Sequence, residues 1–268
     1  MSIIWAFIYG IIQGATEFLP VSSSGHLALL PYFFEINDPG IIFDLLMHLG
    51  TAIAVILYFH KEIKRLAQES FYLLVKRNLT ETVFLQNFLL STFFSFCLIL
   101  LIKGVALEFG RSSLFIGVNF IVFGILMYLA DKRVPKGLDL TKKRGLKEAI
   151  LIGLSQSLAI FPGVSRSGIT LTTSRFLGMD RLEAGRFSFL LSLPIILGSI
   201  VFKLPDILSG NATYVSTDII IVGILSSFVV GLLTIHFFLK LIGKIGLVYF
   251  SLYRVLLGVI LIALYFTH

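Results

Sequence analysis

Charge is scarce in this chain. Asp, Glu, Lys and Arg make up 14% of its 268 residues, where a soluble domain carries roughly a quarter. That scarcity excludes an ordinary soluble globule. The 57% hydrophobic content, 26 Phe and mean hydropathy of +0.96 suit one polytopic bundle instead. Cysteine is nearly absent. Cys97 alone, in an apolar run, permits no internal disulfide, and five scattered His add no transition-metal cluster. The N-terminus lacks a basic n-region and a small-residue cleavage site, so no secretory signal is expected. No low-complexity segment or linker divides the chain. Acidic residues are outnumbered, leaving a net charge of +7. The basic residues collect between apolar runs, as membrane topology demands, so the expected partner is lipid and not nucleic acid.

Long apolar runs cover 43–60, 84–105, 113–130, 187–204, 218–239 and 247–266. Each is near the ~20 residues that cross a bilayer as a helix. The runs 2–19, 23–36, 147–161 and 165–178 are short and end at Pro, Gly or Ser clusters. Pro20 and Pro162 remove a backbone donor and disfavour helix at the residue before them. These four runs read as half-helices paired into two re-entrant hairpins, with one ordinary kinked helix in each place as the alternative. The expected fold is all-α: six full transmembrane helices and two re-entrant hairpins.

Charge sets the orientation. Loop 61–83 holds Lys61, Lys64, Arg65, Lys76 and Arg77; loop 131–148 holds seven more Lys/Arg; loop 204–217 holds none; Lys240 and Lys244 mark another basic loop. Basic loops belong in the cytoplasm. The spans then alternate only if each hairpin returns to the side it came from. The first opens outward and the second inward, with both termini outside. That is an inverted repeat: residues 1–130, a basic cytoplasmic connection 131–146, and residues 147–268.

The repeat is legible in the breaks. Gln13-Gly-Ala-Thr-Glu17-Phe-Leu-Pro20-Val-Ser-Ser-Ser-Gly25 returns as Gln156-Ser-Leu-Ala-Ile160-Phe-Pro162-Gly-Val-Ser-Arg166-Ser-Gly168, with six of thirteen positions identical at an offset of 143. Polar breaks at matching points of two halves point to a membrane protein's functional site, and intramembrane charges such as Glu17 and Arg166 are costly. After each break a half-helix begins, and its first N–H groups carry partial positive charge suited to phosphate. Ser22, Ser23, Ser24, Ser165, Ser167 and Thr170 add hydroxyls, and Arg166 a planar cationic fork. An anionic headgroup on an apolar tail fits such a pocket. Glu17 follows Gln13 by four, on one helix face; His26 follows Ser22 by four and Ser23 by three. A Ser near a His and a carboxylate has the parts of an activated nucleophile, and His26 equally suits a general acid or an attacking group. The second break has Ile160 and Ile169 where the first has Glu17 and His26. The first repeat therefore reacts and the second holds charge.

Each residue has a plainer reading. Serines at a helix start serve as caps. His26 would satisfy a backbone carbonyl. Glu17 and Arg166 would form a buried ion pair. Gln13 and Gln156 brace the breaks. His48 and Asp44 sit at an outer helix end as interfacial groups. Arg254 lies inside the last span, either snorkelling or facing the bundle. Asp180-Arg-Leu-Glu183 reads as a capping box. Asn78-Leu-Thr80 and Asn211-Ala-Thr213 match a glycosylation pattern too short to carry weight. Glu17, with substrate phosphates, would suit a hard cation.

The segments Gln13-x-x-x-Glu17-Phe-Leu-Pro-Val-Ser-Ser-Ser-Gly-His26, Pro162-Gly-Val-Ser-Arg-Ser-Gly-Ile-Thr170 and Phe43-Asp-x-x-x-His48-Leu-Gly-Thr51 resemble those of undecaprenyl-diphosphate phosphatases of the bacitracin-resistance type. The likeness spans the chain. It implies a multi-pass enzyme of the bacterial cell membrane that removes the terminal phosphate of a C55 polyprenyl diphosphate, recycling the carrier for peptidoglycan and leaving less diphosphate for bacitracin. The family's catalytic and binding positions match Glu17, Ser23, His26, Ser165, Arg166 and Thr170. Its first acidic-motif position is Gln13 here, which removes one candidate ligand for the divalent cation, Mg or Ca, associated with the family. The rival class is a transporter or flippase for a polyprenyl phosphate, since broken half-helices in inverted repeats are common there. A transporter needs no Ser/His pair beside its phosphate site.

Overall fold

The computed structural model describes residues 2–34, 36–76, 81–109, 112–208 and 216–267. These form eleven α-helices: α1 Ile3–Phe18, α2 Ser23–Phe34, α3 Ile41–Tyr58, α4 His60–Lys76, α5 Val83–Phe109, α6 Ser113–Asp131, α7 Leu146–Ser157, α8 Arg166–Leu177, α9 Arg181–Leu208, α10 Thr217–Ile245 and α11 Val248–Thr267, with a 3₁₀ turn, Leu158–Ile160, after α7. Five helices (α5, α6, α9, α10 and α11) are long and apolar enough to cross a membrane, and α3 with α4 makes a sixth candidate bent by 80°. The chain is thus an all-helical, multi-pass membrane protein. Its outward faces carry exposed Leu, Ile, Val and Phe along these helices, as a lipid solvent allows.

Two expected loops are helical. Residues 61–76, read as loop from their charge, are α4. Ile63 and Leu66 pack onto the core, while Phe71, Leu74 and Val75 further along the helix are exposed. Buried Glu69 accepts bonds from Arg65 Nε at 2.7 Å and from the Leu85 amide at 2.8 Å, so α4 caps the start of α5. Lys240 and Lys244 lie in the last turns of α10, where cations suit the helix dipole. The expected outer loop 204–217 begins with residues that still belong to α9, and its segment 209–215 lies outside the described residues, as do Asn78 and Asn211. The capping reading of Asp180 holds: its Oδ1 accepts the Glu183 amide at 2.8 Å.

The half-helices pack across the halves of the chain. α1 lies against α10, and α7 against α5. Gly10 of α1 sits where a Cβ would collide with Ser226 and the Gly223 carbonyl of α10, and Gly153 of α7 likewise abuts Ser91 of α5. A hydrophobic core centred on Phe18, Phe59, Phe187, Phe189, Phe238 and Ile242 joins α1, α3, α9 and α10. The basic connection is pinned by Asn87 of α5, which donates to Leu140 and Lys143 carbonyls at 2.8 Å. In it, burial alone would raise the Asp139 carboxyl, but donors from Thr141 and Lys142 hold it below the ordinary range.

Candidate active site

The two breaks have one backbone design. Pro20 and Pro162 end the preceding helical turns, and the chain then turns through Ser22 (φ 73°) and Ser165 (φ 71°). Positive φ in a residue with a side chain is strained, and such strain gathers at functional sites. Each serine caps the half-helix it introduces. Ser22 Oγ accepts the Gly25 amide at 3.3 Å and Ser165 Oγ accepts the Gly168 amide at 3.1 Å. Each also lies near a second serine hydroxyl, Ser24 at 3.4 Å and Ser167 at 3.3 Å. The breaks are tied to one another. The Gly163 amide donates to Ser22 Oγ at 3.2 Å, and Ser167 Oγ donates to the Leu19 carbonyl at 3.0 Å. Gly163 has φ +90°, and a Cβ there would stand 2.7 Å from the Ile116 carbonyl, so only glycine fits.

Glu17, at the end of α1, is the hub. Its Oε2 accepts from Gln13 Nε2 at 3.0 Å and from Ser23 Oγ at 2.6 Å; its Oε1 accepts from Arg166 Nη2 at 2.6 Å. His48 Nε2 stands 3.4 Å from Oε2. Glu17 is 6% exposed and Ser23 8%, so this charge is held in a dry setting with every short contact a donor. Arg166 also donates to the Ser188 carbonyl at 3.1 Å. Thr170 Oγ1 bonds the Arg166 carbonyl at 2.8 Å and Ser188 Oγ at 2.5 Å, which fixes the first turn of α8 under the guanidinium.

His26 stands apart from that hub. Nδ1 lies 2.7 Å from the Ser22 carbonyl and Nε2 2.6 Å from the Tyr253 hydroxyl. Ser23 is therefore paired with Glu17, and His26 with Ser22 and Tyr253. Gln13 braces Glu17, whereas Gln156 donates to Ser95 Oγ at 2.8 Å and braces α7 on α5.

Two residues of the site, Tyr253 and Ser188, went unnamed in the sequence reading, and two others, His48 and Arg254, were named without a role in it. His48 sits within α3 and not at an outer helix end, turned inward by the bond from Nδ1 to the Asp44 carbonyl, 2.7 Å away. Tyr253 and Ser188 had no local signal. Arg254 faces the bundle: it is fully buried and donates to the carbonyls of Pro20 (3.2 Å), Gly163 (2.7 Å) and Val164 (3.0 Å). It thereby staples both breaks from behind, its guanidinium 5.5 Å from the Phe120 ring centre. An intramembrane arginine in the last span was signal enough to suspect a site; its partners were not legible.

Chemically, the arrangement presents a hydroxyl on a carboxylate, a cation beside it, and two half-helix N-termini. That set can bind a phosphoryl group and move a serine proton. The family model described as bacitracin resistance protein BacA matches residues 6–260. An undecaprenyl-diphosphatase of Pelotomaculum thermopropionicum is 40% identical over 98% of this chain and 97% of its own. Undecaprenyl-diphosphatase 2 of Stutzerimonas stutzeri is 38% identical over 99% of both. Undecaprenyl-diphosphatase 4 of Bacillus thuringiensis is 36% identical over 98% of this chain and 97% of its own. A family match that covers both breaks and nearly the whole chain, with relatives aligned end to end, means that this chain belongs to the bacitracin resistance protein BacA family.

Proposed function

We infer that this protein hydrolyses undecaprenyl diphosphate to undecaprenyl phosphate and inorganic phosphate. One observation carries the reading: the Ser23 hydroxyl rests on buried Glu17, which is itself paired with Arg166 from the other half of the chain. Relatives named for this activity align over the full length. A flippase needs no hydroxyl held on a buried carboxylate.

The chemistry follows from the contacts. Arg166 and the half-helix N-termini at Ser22–Gly25 and Ser165–Gly168 receive the diphosphate, with Ser24, Ser165, Ser167 and Thr170 shaping the cradle. Ser23 Oγ attacks the terminal phosphorus as Glu17 takes its proton. The bond from phosphorus to the bridging oxygen breaks, and the lipid phosphate leaves with a proton from His26. Water, deprotonated by the now neutral His26, attacks the phosphoserine; the phosphorus–Ser23 Oγ bond breaks, and Ser23 regains the proton that Glu17 holds. Gln13 Oε1 is buried without a hydrogen-bond partner, and Glu17 offers hard oxygens, so the pair suits a divalent cation, Mg or Ca. Among the described residues no three His, Cys, Asp or Glu gather, so diphosphate oxygens would complete its shell. When bound, such an ion would neutralise phosphate charge.

The inverted repeat with two re-entrant hairpins draws support from the matched φ angles of Ser22 and Ser165 and from the reciprocal packing of α1 on α10 and α7 on α5. The basic segments favour a cytoplasmic connection, with both termini and the site opening outward in a bacterial cell membrane. There the reaction would return the lipid carrier to peptidoglycan synthesis and oppose bacitracin.

Phosphate release from undecaprenyl diphosphate by purified protein in detergent tests the activity; folded protein that only moves the lipid between leaflets of a vesicle would sink it. For topology, Gly137→Cys and Ser216→Cys in a Cys97→Ala background are exposed in whole cells to an impermeant thiol reagent. Labelling at 216 alone is expected, and labelling at 137 alone reverses the orientation.

A further inference from the structure

We propose that Tyr253 is the hydroxyl through which His26 passes its proton to the leaving lipid phosphate. The inference rests on His26 acting as general acid. Nδ1 lies 2.7 Å from the Ser22 carbonyl, and a carbonyl only accepts, so Nδ1 carries a hydrogen. The proton that changes during turnover is then the one at Nε2. Nε2 is 2.6 Å from the Tyr253 hydroxyl. The two rings are parallel to within 8°, with centroids 5.7 Å apart, and the Phe120 ring stands edge-on to the imidazole at 5.9 Å. Both ring nitrogens are thus engaged, and the working one faces a phenol. Tyr253 is 44% exposed, whereas its chain neighbour Arg254 is fully buried and bonded to both breaks. The exposed phenol therefore stands on a fixed point of α11.

A hydroxyl suits both states of the ring. It donates to a neutral Nε2 and accepts from a protonated one. As the bond between phosphorus and the bridging oxygen breaks, the phenol proton passes to the departing lipid phosphate and the Nε2 proton passes to the phenol oxygen. Tyr253 ends as a phenol and His26 as the neutral Nδ1–H form. A proton from water, returned by the same route, resets the pair.

Phosphate release from undecaprenyl diphosphate separates the possibilities in three variants: Tyr253→Phe, His26→Ala and the two combined. Tyr253→Phe keeps the ring and removes the hydroxyl. It is expected to lose at least about tenfold in kcat, with KM held within about threefold and the melting temperature unchanged. The combined variant is expected to be no slower than the slower of the two single variants, because the two groups pass one proton in series. If Tyr253→Phe turns over normally while His26→Ala collapses, the inference fails and the reading of His26 stands. Normal turnover in His26→Ala removes the reading itself. Losses that multiply in the combined variant, or an unfolded Tyr253→Phe, would make the contact a structural one and overturn the proposal.

Discussion

The two breaks share a backbone and differ in what they carry. Ser22 and Ser165 hold the same strained φ, cap the third amide after them and lie beside a second serine hydroxyl. Around that common frame, the first break places Glu17, Ser23 and His26, while the second places Ile160, Arg166 and Ile169 at the matching positions. Ser23 and Arg166 are counterparts, and both reach the same carboxylate. On the proposed mechanism the frame makes a place for an anion, and proton transfer and attack come from substituents on one copy of it.

The sharpest way to break this division is at its hub. Glu17→Gln removes the proposed base and leaves Arg166 facing a neutral amide, so kcat should fall by about 10²–10⁴, while binding of a non-hydrolysable methylene diphosphonate lipid survives. Comparable turnover in that variant would mean that the first break is no more reactive than the second. Arg166→Lys tests the other copy. It keeps the charge but loses the fork that meets both Glu17 and the Ser188 carbonyl. A fall of roughly 10²-fold in kcat/KM is expected from the loss of oriented charge stabilisation. His48→Asn comes next. Loss of the imidazole that stands 3.4 Å from the Glu17 carboxylate should slow turnover by roughly tenfold. An unchanged rate would return His48 to a packing role. The smallest effect belongs to the second glutamine. Gln156→Leu should cost about 1 kcal/mol of stability through its bond to Ser95 and leave kcat within about twofold. Its counterpart Gln13→Leu, which strips a donor from Glu17, should slow turnover visibly more. Equal effects of the two on rate would erase the asymmetry.

Much of the frame was legible in the sequence because it is local. Pro20, Pro162 and the serine clusters bound the half-helices to within a few residues of α1, α2, α7 and α8. The motifs marked Glu17, Ser23 and Arg166 as residues of one site. What stayed hidden involved contacts that sequence spacing does not encode. Tyr253 meets His26 across 227 residues, and Arg254 reaches Pro20 across 234. His48 was misjudged because the position of a helix end, and hence which way its side chain turns, depends on packing of α3 against α1 and α10. α4 was hidden differently: its lysines and arginine signalled a loop, while Ile63 and Leu66 kept helical spacing beneath them. Within the first break, spacing suggested that His26 would serve Ser23. The turn at Ser22 instead directs Ser23 to Glu17 and His26 to α11.

The crossed packing of half-helices has a consequence for how the protein is made. α1 leaves the ribosome first, yet its partner α10 begins at Thr217, and Arg166, which answers the Glu17 charge, lies 149 residues further on. During synthesis the leading segment therefore enters the bilayer with a glycine seam that has nothing to fit and a carboxylate that has no counter-ion. It waits without those partners while most of the chain is inserted behind it. A chain that stops before α10 leaves Gly10 and Gly14 without the surface they fit, and the His26–Tyr253 contact forms only once α11 is made.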